Sequence, residues 1–440
     1  MSTTSPEEAK TARIDLAGTG FFRLWAGESV SLVGSQITLF ALPLVAVLTL
    51  DADAWDMGLL GAAGSLAVLL LGPSIGVWVD RADRKAVMQT ANLLRFLLLL
   101  TIPVAYLVDA LDIWLLLVVA FAVGGLSLVF DAAMSSYMPS LVGNSRLVRA
   151  NSWMQSTASV ADTAGPGLAG VLVQILGAPL AVAADAVSYL GSSLALASLP
   201  KVPSPKGEEH EEERHLQAIV SGFRLLLRDK VQRPMALAAA HFNLFATMFF
   251  TVYMLYVIKV LGFSPLMVGL LNVAGGVGGL AGAWAAGRVA ERFGYGAVLT
   301  AVYAVPGAAI LLVPAAQPFG KWVGGALVAV STALWAFALL INLILSETIK
   351  QALVPSAMLG RITSIVRVVS WGIEPVGALL GGWIASSLLS YRGTLTLSGL
   401  GILTSAVWPL FSRVRTLRTL PDSEEATPTE QEDGLTGQAV

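Results

Sequence analysis

The chain has 440 residues, of which 55% are hydrophobic and 13% charged, with a mean hydropathy of +0.74. A soluble globular domain carries about 25% charged residues, so composition excludes that class and indicates an integral membrane protein. The net charge of −2 constrains no partner, and the absence of cysteine excludes disulfides, a thiolate nucleophile and Cys-ligated metal.

Met1–Arg13 is polar and has no short apolar core before a cleavage site, so no removable signal peptide is read and the first membrane helix inserts the chain. Apolar runs of about 20 residues, long enough to span, fall near 22–48, 57–79, 86–108, 113–137, 150–175, 178–198, 235–261, 266–288, 296–315, 322–346, 362–389 and 394–412. The short alternating segments of a β-barrel are missing. The expected fold is all-α, with twelve transmembrane helices. Its parts are an N-terminal segment (1–21), a six-helix half (22–198), a linker (199–234), a second six-helix half (235–412) and a tail (413–440).

Lysine and arginine set the orientation. Lys259, Lys321 and Arg392 fall on one side, Arg95 and Arg367 within or near helices, and the remainder of the 27 on the other side. The positive-inside rule puts that second side, with both termini, in the cytoplasm. The outer loops carry acids instead, among them Asp51, Asp53, Asp56, Asp109 and Asp112. Within the linker, EEHEEER at 208–214 reads as a solvated charge run; His210 and His215 as a metal site is the minor alternative. The stretch 215–231 has Leu216, Ile219, Phe223 and Leu226 spaced for a helix lying on the membrane surface. The tail beyond Arg418 is acidic and rich in Pro, Thr and Gln, a composition of disorder.

The two halves repeat. MGLLGAAG at 57–64 matches VGLLNVAG at 268–275, with Gly58 and Gly269 offset by 211 residues. At the same offset Gly76, Asp80 and Arg81 become Gly287, Glu291 and Arg292; the second copy then decays to FGYG and lacks the Arg84–Lys85 pair. Two six-helix halves related by a repeat and joined by a polar linker place a substrate site between the halves near mid-membrane.

The first copy, GVWVDRADRK at 76–85, resembles the signature loop of the major facilitator superfamily. FRLWAGESVSLVG at 22–34, FDAAMSSYMPSLV at 130–142, ANSWMQS at 150–156, GPGLAG at 165–170 and DAVSYLGSS at 185–193 resemble its bacterial drug-exporter branch, with macrolide and multidrug efflux proteins and enterobactin exporters. The branch often has Pro and Arg where Ala132 and Met134 stand, and an uncharged polar residue where Glu28 stands. The resemblance implies a gate in which Asp80 sits beside the N-terminal end of the helix beginning near Arg361. Arg81 and Arg84 would pair with acids of neighbouring helices, holding the cytoplasmic side shut. The alternative is that these charges anchor the loop and set topology alone.

Ionisable groups inside a membrane are functional suspects. Six acids fall within or at the ends of spans: Glu28, Asp131, Asp162, Asp185, Glu347 and Glu374. Asp162 and Glu374, about a dozen residues into their helices, are the first choices as proton carriers or ligands for a cationic substrate, followed by Asp185 and Glu28. Burial disfavours the charged form of a carboxyl and lets it exchange protons. Static pairs compete with that role: Asp131 or Asp162 with Arg95 or Arg149, and Glu374 with Arg367. Phe40, Trp153, Phe242, Phe245, Phe249, Trp335 and Trp371 fall mid-helix and could line an apolar cavity, with half or more expected in ordinary packing. Trp25, Trp55, Trp114, Trp322 and Trp408 fall near helix ends and read as interface anchors. His241 reads as packed or pore-lining. Gly275/Gly279 and Gly278/Gly282 are small-xxx-small packing pairs.

No phosphate-binding loop is visible, so the energy source is an ion gradient and no cofactor is expected. The expected function is export of an amphiphilic organic compound in exchange for protons, by a non-enzymatic carrier in a bacterial plasma membrane. Its partners are then the bilayer, a small organic substrate and protons. Nucleic acid is not among them, and a monomer suffices. The alternatives are a dedicated exporter of one natural product, a non-transporting sensor or assembly partner that kept the fold, and an importer.

Overall fold

The computed structural model describes residue 16 and residues 18–80, 82–199, 223–224, 226–354 and 356–419, without the side chains of 73, 74, 76–78, 80, 144, 356, 357, 360, 361 and 364. Twelve helices among these are long and apolar enough to cross a membrane. They are α1 (Phe21–Leu44), α2 (Ala54–Asp80), α3 (Arg84–Leu107), α4 (Ile113–Val142), α5 (Leu147–Leu176), α6 (Ala178–Ala197), α7 (Gln232–Leu255), α8 (Pro265–Phe293), α9 (Tyr295–Ile310), α10 (Gly320–Leu353), α11 and α12 (Tyr391–Thr404). Inner and outer below follow the orientation predicted from Lys and Arg.

Local chemistry sets the ends. Asp83 accepts from Ala86 N at the start of α3, Asp112 from Leu115 N at the start of α4, and Ser264 from Met267 N at the start of α8. The offset of 211 residues holds in the backbone. It relates α1 to α7, the starts of α2 and α8, and two π-helical turns, Val45–Thr49 and Tyr256–Val260, that end α1 and α7. It also relates two left-handed turn positions, Asp51 (φ 51) to Gly262 (φ 65) and Asp109 (φ 54) to Gly320 (φ 72).

Three features depart from the expected helices. The run 362–389 is two helices, α11a (Ser356–Trp371) and α11b (Glu374–Ser387). Pro375 has no N–H to give Trp371, and the chain breaks at Gly372–Ile373. α4, α5 and α10 extend past the apolar runs on the inner side, to Val142, from Leu147 and to Leu353; their polar ends remain helical outside hydrocarbon. Of the expected surface helix, Leu226 is buried against Ala236 and Ile365, while Leu216 and Ile219 lie outside the described residues, as do His210, His215 and the tail beyond 419.

The decay of the second signature copy has a packing reason. Lys85 is buried, and its Nζ donates to the carbonyls of Ala197 and Leu199 past the end of α6. Its counterpart, Gly296, presses on the Arg413–Thr416 turn, with Arg415 C 2.9 Å from where a Cβ would sit, and its own N–H donates to Leu417 O at 2.8 Å. One half caps the chain end with a side chain, the other with backbone. The small-xxx-small pairs pack as expected: a Cβ on Gly278 would lie 2.8 Å from Ala333 Cα, and one on Gly282 3.0 Å from Phe337 Cα, both on α10. Gly278→Ala is therefore expected to cost about 1–3 kcal/mol, read as a lower thermal unfolding midpoint in detergent. Gly64→Ala, where a Cβ meets open space, leaves it in place. Equal midpoints for the two variants would contradict this packing.

Candidate functional site

The first half holds an ionic cluster centred on Arg95 of α3. Arg95 is 5% exposed, and its guanidinium lies between two rings, 4.5 Å from Phe130 and 4.3 Å from Tyr189. It donates to Asn92 Oδ1 and, at 3.3 Å, to Ser127 Oγ. Its charge acts on three carboxyls, Glu28 of α1, Asp131 of α4 and Asp185 of α6. No ion pair within 4 Å joins it to any of them among the described residues. The aromatic faces hold the cation and leave the acids separate from it.

Asp185 is 1% exposed and Glu28 6%. Glu28 accepts from Ser192 Oγ at 2.5 Å, and Ser192 accepts from Asn92 Nδ2 at 2.9 Å, which links the acid to Arg95 through a hydrogen-bond chain. Asp185 Oδ1 accepts from Ser188 at 3.0 Å, and its Oδ2 is buried beside the Thr38 hydroxyl. Gly34 makes room for this arrangement, since a Cβ there would lie 2.6 Å from Asp185 Oδ1. Asn92, Ser188, Tyr189 and Ser192 were not foreseen. Helical spacing could have found them: 185, 188, 189 and 192 share one face of α6, and 92 and 95 one face of α3.

The other acids have different surroundings. Asp162 and Asp131 are exposed, and Asp162 Oδ1 accepts from Gln36 Nε2 at 2.5 Å. Glu374 is half-buried and accepts from Ser65 Oγ of the first half at 3.4 Å. Arg367 lies over Trp371, 5.2 Å from the ring, in place of a pair with Glu374. Glu347 is largely exposed and pairs with buried Lys350 at 2.6 Å.

Of the signature residues, Arg84 donates to Ser136 O at 3.1 Å, and Asp80 ends α2. Arg81 and the surroundings of Gly76, Asp80 and Arg361 lie outside the described residues. Gly287 faces open space; Glu291 and Arg292 are exposed, the latter 5.3 Å from the Phe293 ring.

The second half has an aromatic cluster instead. Trp335 lies 5.3 Å from Phe242, 6.4 Å from Phe249 and 5.4 Å from Phe250, the last unforeseen. Phe40, Phe242 and Phe249 are buried in the core. Phe245 packs against Gly401, and Trp371 is exposed. Trp153 is not mid-membrane: it sits near the inner start of α5, 5.1 Å from Trp25, whose Nε1 donates to Thr157 Oγ1. Trp408 donates to His241 Nδ1 at 3.2 Å; indole is donor-only, so the imidazole proton is on Nε2, 2.9 Å from Gly401 O. No group of three His, Cys, Asp or Glu suited to a metal occurs among the described residues.

The halves meet at the outer side through two glycine crossings. Gly58 of α2 packs on Gly382 of α11b, and Gly269 of α8 on Gly170 of α5; a Cβ on Gly58, Gly382 or Gly269 would lie 3.0 Å from the facing Cα. Beside them Lys259 Nζ bonds Asp51 Oδ1 at 2.6 Å and Ala52 O at 3.0 Å.

The profile of the Major Facilitator Superfamily matches residues 24–373. The chain belongs to that family. Among relatives of this facilitator, macrolide efflux protein A of Streptococcus pyogenes is 28% identical over 186 residues, 41% of this chain and 45% of that protein, so under half of its length is matched. Multidrug efflux pump Tap of Mycolicibacterium fortuitum is 25% identical over 87% of this chain and 93% of its own. Enterobactin exporter EntS of Citrobacter koseri is 24% identical over 93% and 95%. In structure, a bacterial homologue of the iron transporter ferroportin in an inward-facing state superposes with TM-score 0.72 at 17% identity, over 90% of this chain and 99% of that one. The nucleoside transporter NupG superposes with TM-score 0.69 at 12%, over 89% and 98%. At these identities the likeness is one of fold.

In this facilitator the Asp51–Lys259 pair bridges the halves outside the spans. The ammonium hydrogen bond and charge hold the Asp51 carboxyl below its usual range. The pair is then intact above the ordinary aspartate value near 3.9, and is lost only as pH falls through the depressed one. The chain has no cysteine, so a Thr251→Cys reporter, buried behind the crossing of α2 and α11b, reads outer opening through its reaction with a membrane-impermeant maleimide. Lys259→Ala is expected to raise that rate about two- to fivefold at pH 7. An unchanged rate would contradict a bridging role.

Proposed function

We propose that this chain is a proton-coupled exporter of amphiphilic organic compounds, with both termini on the cytoplasmic side of a bacterial plasma membrane. The observation that carries this reading is Asp185: a carboxyl 1% exposed, its Oδ2 buried beside the Thr38 hydroxyl and within the field of Arg95. A buried carboxylate is costly. The Thr38 hydroxyl can donate to an ionised Oδ2 or accept from a protonated one, so the site holds either form, and a proton there removes a charge from the cluster. Glu28 is the second store, joined to Arg95 through Ser192 and Asn92. Asp162 and Glu374 suit the substrate, because each is accessible and each bonds across to a neighbouring helix, Asp162 to Gln36 of α1 and Glu374 to Ser65 of α2.

The cycle follows from this division. With the glycine crossings closed, the outer side is shut and substrate enters between the halves from the inner side. Loss of a proton from the Asp185–Glu28 cluster restores attraction to Arg95 and repositions α1, α3 and α6 against one another. That repacking is transmitted through α1 to Gln36 and Asp162. Substrate binding and protonation thus compete through one helix, which is the requirement for antiport. The signature loop around Asp80 acts as the inner gate.

A second reading is a dedicated exporter of one natural product. The match to an enterobactin exporter over nearly the full length of both chains supports it, as the similarly long match to the multidrug pump Tap supports the first reading.

The test is efflux of a panel of cationic and neutral antibiotics from expressing cells, with and without a protonophore. Asp185→Asn is expected to lower protonophore-sensitive efflux at least about tenfold while leaving substrate binding to purified protein in place. Glu374→Gln is expected to weaken that binding instead. Protonophore-sensitive efflux at the normal rate in Asp185→Asn would overturn the assignment. No efflux of any panel compound would favour the single-product exporter.

A further inference from the structure

At the inner end of the second half, α7 and α12 part to leave an open cleft of about 670 Å³. Lys230 and Arg233 line it from the turn before α7 and its first residues, and Arg413 from the turn after α12; no acid lines it among the described residues. All three cations are exposed, and none forms an ion pair among the described residues. The nearby Asp229 is committed to capping α7, with Oδ1 accepting from Val231 N and Gln232 N at 2.7 Å each. Toward the bilayer the cleft continues into Val407, Trp408 and Phe411, which are 46%, 40% and 81% exposed.

The sequence of the first half does not repeat these cations. At the offset of 211 residues Lys230, Arg233 and Arg413 correspond to Thr19, Phe22 and Val202. Between α1 and α6, Arg23 instead donates to Ser198 O at 2.9 Å and Lys85 to Ala197 O at 3.1 Å, so cations there are spent on chain ends. The cleft of the second half is thus not a by-product of the repeat. It joins three exposed cations, of which Arg233 also donates to Leu227 O at 3.2 Å, to an exposed apolar wall at the inner end of the spans.

We propose that this cleft binds one anionic phospholipid of the inner leaflet, its phosphate between Lys230, Arg233 and Arg413 and its acyl chains along Val407 and Phe411. Charge complementarity selects an anion, and the exposed apolar wall selects an occupant with chains. The chain's own tail carries Asp422, Glu424, Glu425, Glu430, Glu432 and Asp433 but has little apolar surface to cover Phe411.

The test uses full-length protein from nanodiscs of equal phosphatidylglycerol and phosphatidylcholine, with retained lipids counted by native mass spectrometry. One phosphatidylglycerol is expected to remain bound selectively. Its affinity is expected to fall about fivefold for each cation removed in the series Arg413→Gln, then with Arg233→Gln, then with Lys230→Gln. Arg415→Gln, outside the cleft, leaves it unchanged, and millimolar glycerol phosphate does not displace the lipid. Equal retention of both lipids, full retention in the triple variant, or displacement by glycerol phosphate would overturn the proposal. So would a several-fold gain on neutralising the six tail acids, which would assign the cleft to the tail.

Discussion

Two close approaches of backbone to backbone hold the halves together on the outer side. Gly58 on Gly382 and Gly269 on Gly170 bring α2 to α11b and α8 to α5 within a distance that no side chain permits. Inside a bilayer, apolar surface gains little by leaving lipid for protein, so helix association depends on intimate packing. Glycine supplies that packing and also lets it be undone, because no interlocked side chains must be extracted. The lone ion pair beside the crossings, Asp51 with Lys259, breaks the symmetry: its counterparts under the repeat are Gly262 and Leu48.

The halves share a backbone plan and differ in what they enclose. The first buries acids around a cation shielded by Phe130 and Tyr189; the second gathers Phe242, Phe249 and Phe250 around Trp335. A charge cluster separated from its counter-ion by ring faces can change protonation without collapsing into a fixed pair. An aromatic cluster carries no charge, so the two halves differ in the electrostatics of what they enclose more than in backbone plan.

Much of the fold was legible in the sequence because hydropathy, Lys/Arg placement and a repeat are each local signals. The offset of 211 between Gly58 and Gly269 located what became the two outer crossings, and it extends to the π-turns and the positive-φ residues. The break in α11 was masked by an unbroken apolar run, although Pro375 marked it. The acids were legible as suspects, but their burial was not. Distance along a helix says how deep a residue lies, not which way it faces, and Asp162 and Asp185 are opposite outcomes. Trp25 and Trp153 meet edge to face for a similar reason, since an indole near a helix end serves a neighbouring helix as well as it serves an interface. Lys85 and Gly296 show a further limit: a lost motif residue was replaced by a backbone contact that only the folded chain displays.

The central claim is that the glycine crossings set the closed outer state, and a distance measures it directly. Spin labels on Trp55→Cys of α2 and Leu388→Cys beyond α11b, both at exposed outer positions, would report the separation by pulsed electron resonance in an otherwise cysteine-free chain. The account predicts a dominant short-distance population that moves to longer distances when Gly382→Val is added. An unchanged distribution in that variant would mean that the crossings follow closure and do not determine it.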